Sequence, residues 1–502
     1  MGLLSLLTFS PVIGVVVILL VQRFREDVSE TTIKLLAVGT SVVAFIISLL
    51  VLFGYDRTEG GLQMYDPIPW VESWGINYAL GIDGLSILMI LLTTFISMLA
   101  ISSSWADIKD KVAQYYIFML LLETGMIGVF LAQDMFLFYI FWEFTLVPMY
   151  FLIGIWGGKD RVYAAIKFFL YTMAGSLLML LAIIFIGTQV GSFLLQDMIQ
   201  NRAAFAAIGL QNVLFWGFFI AFAIKVPVFP FHSWLPDAHT QAPTAGSVIL
   251  AGVLLKMGTY GMMRFNLPLF PEAAMQNAQP IAVLAIIGII YGAIVAFAQK
   301  DVKKLVAYSS ISHLGFVMLG IFSLNSAGIQ GAILQGVNHG ISSGALFFIV
   351  GIIYEQRHTR EISEFGGLWT VMPVYAATTL IVVLSSLGLP GLNGFVGEFT
   401  ILLGSMGSEA LGENAWIFTA FATTGVILAA VYLLWMFQRV FMGPLDKEAN
   451  KKLVDLNVGQ LAIMLSFLLF ILWIGIAPSG FFSLIDASVA DLVNNSFEVL
   501  GN

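Results

Sequence analysis

IAFAIKVPVFPFHSWLPDAHTQAPTAGSVILAGVLLKMGTYGMMRF, residues 220–265, joins two long apolar runs through a proline-rich break. Each run carries one lysine, Lys225 and Lys256. A third apolar run, MFLFYIFWEFTLVPMYF at 135–151, carries Glu143 in its middle. A charge near the centre of a bilayer costs about 2.5–3.5 kcal/mol on insertion scales. A chain that keeps several such groups uses them, and both lysine and glutamate exchange protons. The first expectation is therefore a proton path through a membrane.

Outward from this stretch the same character persists. The chain is 59% hydrophobic and only 10% charged, against about 25% charged residues in soluble domains. It reads as an all-α polytopic membrane protein. Fourteen apolar stretches centre near residues 12, 43, 92, 122, 144, 177, 216, 254, 289, 313, 341, 388, 428 and 468, each supplying the ~20 residues a span needs. The net charge of −8 argues against nucleic acid, whose binders carry a basic patch. With no cysteine, disulfides, thiolate-held iron–sulfur clusters and Cys-ligated zinc are excluded. Residues 1–21 lack a basic leader and are long enough to span, so an uncleaved first helix is expected.

Basic residues collect on the cytoplasmic side of a membrane. With fourteen spans, seventeen basic residues from Arg23 and Arg25 to Lys451 and Lys452 fall on one set of loops, and only Arg57, Arg202 and Arg264 on the other. Both termini are then expected on the non-cytoplasmic side of a bacterial plasma membrane, as the acidic tail Asp486, Asp491 and Glu498 allows.

Two spans are marked as broken. The seventh holds Pro227 and Pro230; the twelfth, SSLGLPGLNGFVGEF at 385–399, holds Pro390 and four glycines. Proline removes an N–H and clashes with the preceding turn, so such breaks are tolerated only beside protein or water. They lie five spans apart, with Lys225 just before one and Glu398 just after the other. Corresponding breaks suggest an inverted repeat, and an odd number of spans per unit inverts the second copy. The expected organisation is spans 1–3 over 1–112, a first five-helix unit (spans 4–8) over 113–266, an inverted second unit (spans 9–13) over 278–442, and a last span with its tail over 457–502.

The stretches 226–265, FLFYIFWEFTLVPMYFLIGIWGG (136–158), KDVKKLVAYSSISHLGFVMLG (300–320) and LPGLNGFVGEF (389–399) resemble the proton-conducting, antiporter-like membrane subunits of respiratory complex I and their Mrp-type antiporter relatives. The resemblance runs through the whole chain in order. The single C-terminal span suits a branch shorter than the longest members, which carry a lateral helix there. The resemblance implies that Glu143 partners Lys225, that Lys256 is the central proton carrier, that His313 and His339 belong to the polar relay, and that Glu398 takes the terminal place toward the exit. It implies a proton-translocating subunit of NADH:quinone oxidoreductase, with no cofactor in this chain. NADH, FMN, iron–sulfur clusters and quinone would be held by partner subunits. The implied partners are the other membrane subunits, including antiporter-like chains of the L and N types, and the lipid bilayer. The alternative is a subunit of an Mrp-type cation/proton antiporter.

Plainer readings stand beside these. Glu143 and Lys225 could be a static ion pair, Lys256 could snorkel to an interface, and His313 and His339 could be neutral packing donors. Glu123 reads equally as a local hydrogen-bonding group or a pathway residue. Asp237 could guide protons or cap a helix. His232 and His239 within HSWLPDAH are too few for zinc, which takes three or four protein ligands.

Overall fold

Apolar runs become helices, and the prolines and glycines end them. The computed structural model describes residues 2–24 and 28–497; Arg25 of the basic set and Glu498 of the acidic tail lie outside the described residues. The first part of the chain forms α1 (Leu3–Phe24), α2 (Glu30–Gly54), a short antiparallel hairpin of β1 (Ile68–Val71) and β2 (Ile76–Tyr78), α3 (Gly84–Ser103), α4 (Val112–Leu131), α5 (Met135–Trp156), α6 (Arg161–Val190) and α7 (Ile208–Lys225). After the break come α8 (Trp234–Gln241), α9 (Thr244–Leu269), α10 (Pro271–Phe297), α11 (Val302–Ile321) and α12 (Ser326–Arg357). The remainder is α13 (Pro373–Ser386), α14 (Asn393–Met406), α15 (Ala415–Phe441), α16 (Val458–Ile476) and α17 (Asp486–Ser496).

Among the described residues, twelve helices are long and apolar enough to cross a membrane. Two shorter apolar helices, Gly209–Lys225 and Pro373–Ser386, run into the two breaks. Every expected span centre falls on a helix or, at 388, inside a break.

Polar side chains start the helices where the sequence offers them. Asp83 caps α3 by accepting from the Leu85 and Ser86 amides, and the Ser86 hydroxyl accepts in return from the Asp83 amide. Asp134 caps α5, and Asp301 caps α11. Each such cap satisfies amides that have no partner within the helix. A turn of residues 132–134 alone joins α4 to α5.

The chain divides into two compact units, 1–226 with 253–278 and 483–502, and 227–252 with 279–482. In the first, α4 packs on α5 and α1, and α7 packs on α6. In the second, α12 is the central helix, packed on α11 and α14. Glycine permits this approach: a Cβ at Gly397 of α14 would lie 2.8 Å from Gln335 Cα of α12, and one at Gly331 of α12 would lie 2.7 Å from the Ile401 amide. Overpacking of this kind costs about 1–3 kcal/mol. Gly397→Val is therefore expected to lower the thermal midpoint of the second unit and its yield in the membrane. Thermal unfolding of the purified protein checks this; an unchanged midpoint would mean the helices part without cost.

Candidate proton-transfer sites

In the first unit, α7 stops at Lys225: Val226 makes the last helical hydrogen bond, to the Phe222 carbonyl, and Pro227 has no amide to continue the ladder. The break thus leaves a lysine at a helix end inside the protein. Lys225 is 1% exposed. Its Nζ lies 5.3 Å from the Trp142 ring and 5.6 Å from the Phe168 ring, and it makes no hydrogen bond among the described residues. Glu143, next to Trp142 on α5, is half-buried and within electrostatic reach of Lys225. The two form no contact ion pair. Aromatic faces, not a carboxylate, lie against the Lys225 amine. Such faces attract a cation through the ring quadrupole.

Lys256 lies on α9, flanked by two π-helical turns, Leu250–Leu254 and Met262–Asn266. It is fully buried, so its amine does not snorkel to an interface. Gly258 brings its turn against the end of α7: a Cβ there would lie 2.7 Å from the Phe222 carbonyl oxygen and 3.2 Å from Lys225 Cβ. Glu123 of α4 is also fully buried, and neither carboxyl oxygen has a hydrogen-bond partner among the described residues. That geometry disfavours the local hydrogen-bonding reading of Glu123.

In the second unit, the break between α13 and α14 is satisfied by protein. Asn338 of α12 donates to the Asn393 carbonyl at 2.7 Å, and Ser385 bonds the Asn393 side chain. Beyond the break, Glu398 Oε1 lies 2.9 Å from His313 Nδ1 and accepts from Gln335 Nε2 at 3.0 Å. The Tyr432 hydroxyl bonds His313 Nε2 at 3.2 Å. A neutral ring carrying its proton on Nδ1 satisfies both contacts, donating to the carboxylate and accepting from the tyrosine. Gly388, at φ +81°, clears space for this carboxyl: a Cβ there would approach Glu398 Oε2 to 3.1 Å. The His339 ring centroid is 5.9 Å from that of His313. All of these side chains are buried.

The remaining candidates sit apart. His232 Nε2 meets the Tyr291 hydroxyl at 3.3 Å, and His239 stacks on Phe347 at 4.3 Å. Asp237 lies in the first turn of α8. Lys303 Nζ donates to the Ala242 carbonyl at 2.6 Å, and Arg360 donates to that of Thr240 at 2.7 Å. Two cations thereby close the C-terminal end of α8, where they suit the helix dipole.

Reading spans one at a time missed three groups. Gln335 and Tyr432 are polar residues within apolar runs, a signal that was available. The charge count puts Arg264 among the loop cations. It is instead buried on α9 and holds Asp83 through NH1 at 2.6 Å and NH2 at 2.5 Å. A partner 181 residues away leaves no local signal.

The family model described as NADH:quinone oxidoreductase/Mrp antiporter, TM, matches residues 132–429. Curated relatives include NADH-quinone oxidoreductase subunit M of Rhodobacter capsulatus, 45% identical over 100% of this chain and 98% of the relative. NADH-ubiquinone oxidoreductase chain 4 of Arabidopsis thaliana is 40% identical over 98% of this chain and 97% of the relative. Among solved structures, a chain of the respiratory complex I from Thermus thermophilus with bound NADH superposes with a TM-score of 0.86 at 32% identity, covering 98% of this chain and 99% of that one. A chain of the Mrp complex from Dietzia sp. shares the fold (TM-score 0.80) at 24% identity, covering 99% of this chain and 51% of that one. The buried protonatable groups thus sit in a polytopic helical membrane protein matched to these relatives along nearly its whole length, and the chain belongs to the NADH:quinone oxidoreductase/Mrp antiporter transmembrane family.

Proposed function

We propose that this chain is a proton-translocating, antiporter-like subunit of a complex I membrane arm, built like the subunit M and chain 4 relatives. Full-length similarity to those relatives supports the assignment. The likeness to the Mrp complex supports the fold alone, so no observation favours the antiporter reading. Electron transfer from NADH to quinone, with its flavin and iron–sulfur clusters, belongs to partner subunits in this reading. Antiporter-like subunits of the L and N types are its membrane neighbours.

The proton-carrying groups we assign are Glu143, Lys225 and Lys256 in the first unit, and His313, His339 and Glu398 in the second. One observation carries the assignment. Lys225 is buried without a hydrogen bond and faces rings rather than a carboxylate. A static ion pair would be in contact; this lysine is poised. Glu143 approaching Lys225 would hold its proton, and Glu143 withdrawing would favour release. We also read spans 4–8 and 9–13 as inverted units, from their matching breaks.

Glu143→Gln tests the pair. The substitution keeps shape and removes charge. Proton translocation is expected to fall severalfold or more, and coupled quinone reductase activity with it, at unchanged subunit content. Vesicle acidification per electron transferred is the measurement, and normal pumping would leave Glu143 a structural role only.

The basic-loop bias supports placing both termini on the non-cytoplasmic side of a bacterial plasma membrane. A tag after residue 502 should then react with membrane-impermeant reagents from outside, and one within 444–452 only from inside. The reverse pattern would invert the topology.

A further inference from the structure

Eight residues beyond Lys256 on the same helix, about 12 Å along its axis, Arg264 ends an opening of mixed polar and apolar lining. This cavity, of about 200 Å³, is walled by the 60–62 loop, Leu85, Gln133, Leu195, Ile199 and Asn495. It reaches Asp83 and Arg264. At that point every donor nitrogen of the guanidinium is engaged. NH1 and NH2 hold the two Asp83 oxygens, and Nε donates to the Tyr260 hydroxyl at 3.0 Å. Tyr260 in turn donates to the Phe130 carbonyl at 3.0 Å. Asp83 also accepts the Leu85 and Ser86 amides. Arg264 is 7% exposed and Asp83 5%. Tyr260 lies between Arg264 and Lys256 in sequence, with its ring edge-on to Phe130 at 5.2 Å.

We propose that Asp83, Arg264 and Tyr260 form an insulating gate that closes the non-cytoplasmic end of the helix segment carrying Lys256. The first unit then takes up protons without releasing them to that side. The inference rests on Lys256 as a proton carrier. A buried, bidentate ion pair fills the inner end of the opening, and separating it exposes two charges to a poor solvent. Removing one partner leaves a buried charge without its complement, which draws in water; neutralising both does not. A pair that merely ties α3 to α9 would affect assembly and leave proton permeability alone.

The test is the decay of an imposed pH gradient across proteoliposomes holding the resting complex, with no electron donor added. Arg264→Met is expected to speed the decay roughly tenfold over the unsubstituted complex, through the uncompensated Asp83 charge. The double change Asp83→Asn with Arg264→Met removes both charges and keeps the α3 cap, and should hold the gradient as the unsubstituted complex does. Should Arg264→Met fail to assemble, Arg264→Lys keeps the charge but cannot fill both carboxylate oxygens, and faster decay is expected there too. Adding Lys256→Met to the leaking variant should suppress the leak. Decay at the unsubstituted rate in the single variant overturns the gate. A leak that persists with Lys256→Met leaves the gate standing and removes Lys256 from the path.

Discussion

Lys256→Met should assemble as well as the natural protein and fail to pump. Methionine keeps most of the lysine stem and removes an amine whose burial costs about 2.5–3.5 kcal/mol on insertion scales. The side chain lies in a helix with no exposed face, where every residue of the most apolar window is buried. A packing role would therefore make the change neutral or stabilising. As a proton carrier, it should instead lose on the order of 10²-fold in turnover-linked proton transfer, the lower range for a positioned acid–base group. Lys256→Arg is the complementary probe. Arginine keeps the charge, but with a pKa above about 12 it does not readily release a proton. Both changes should fail for opposite reasons, while Lys256→His retains part of the activity. Proton uptake per electron in reconstituted vesicles, with subunit content measured on the same sample, separates these outcomes. Full pumping in either the Met or the Arg variant would exclude Lys256 as a carrier.

Glu398→Gln should be the most damaging conservative change in the second unit. The carboxyl accepts from Gln335 and sits against His313, which the Tyr432 hydroxyl holds from its other side. The amide can still accept one hydrogen bond, so stability should fall by only about 0.5–1.5 kcal/mol. It cannot take up a proton, and His313 loses its carboxylate partner. Pumping should drop by at least tenfold while the thermal midpoint moves little. Tyr432→Phe deletes the outer contact to His313 and a hydrogen bond to Ser309 but leaves the Glu398 carboxyl in place, and should leave most of the activity. If the two substitutions prove equally mild, the cluster is a packing device, and the plainer reading of His313 as a neutral donor prevails.

Much of this was readable from order alone. Apolar length sets helices, and proline with glycine sets their breaks. Both are local properties of the backbone, so α7 ends at Lys225 and α14 begins at Asn393, where the residues require it. The candidate carriers were readable because a charge inside an apolar run is conspicuous whatever surrounds it. Their partners were not. His313 meets Glu398 across 85 residues, and Arg264 meets Asp83 across 181. Lys225 proves to face Trp142 and Phe168, with Glu143 held off. Hydrogen bonds and ring contacts are short-ranged, so which helix faces meet decides them. That depends on close crossings, such as Gly397 against Gln335 and Gly258 against Phe222, where the absence of a side chain lets two backbones approach. A residue's chemistry is local to the sequence; its neighbours, and so the use of that chemistry, are properties of the packed chain.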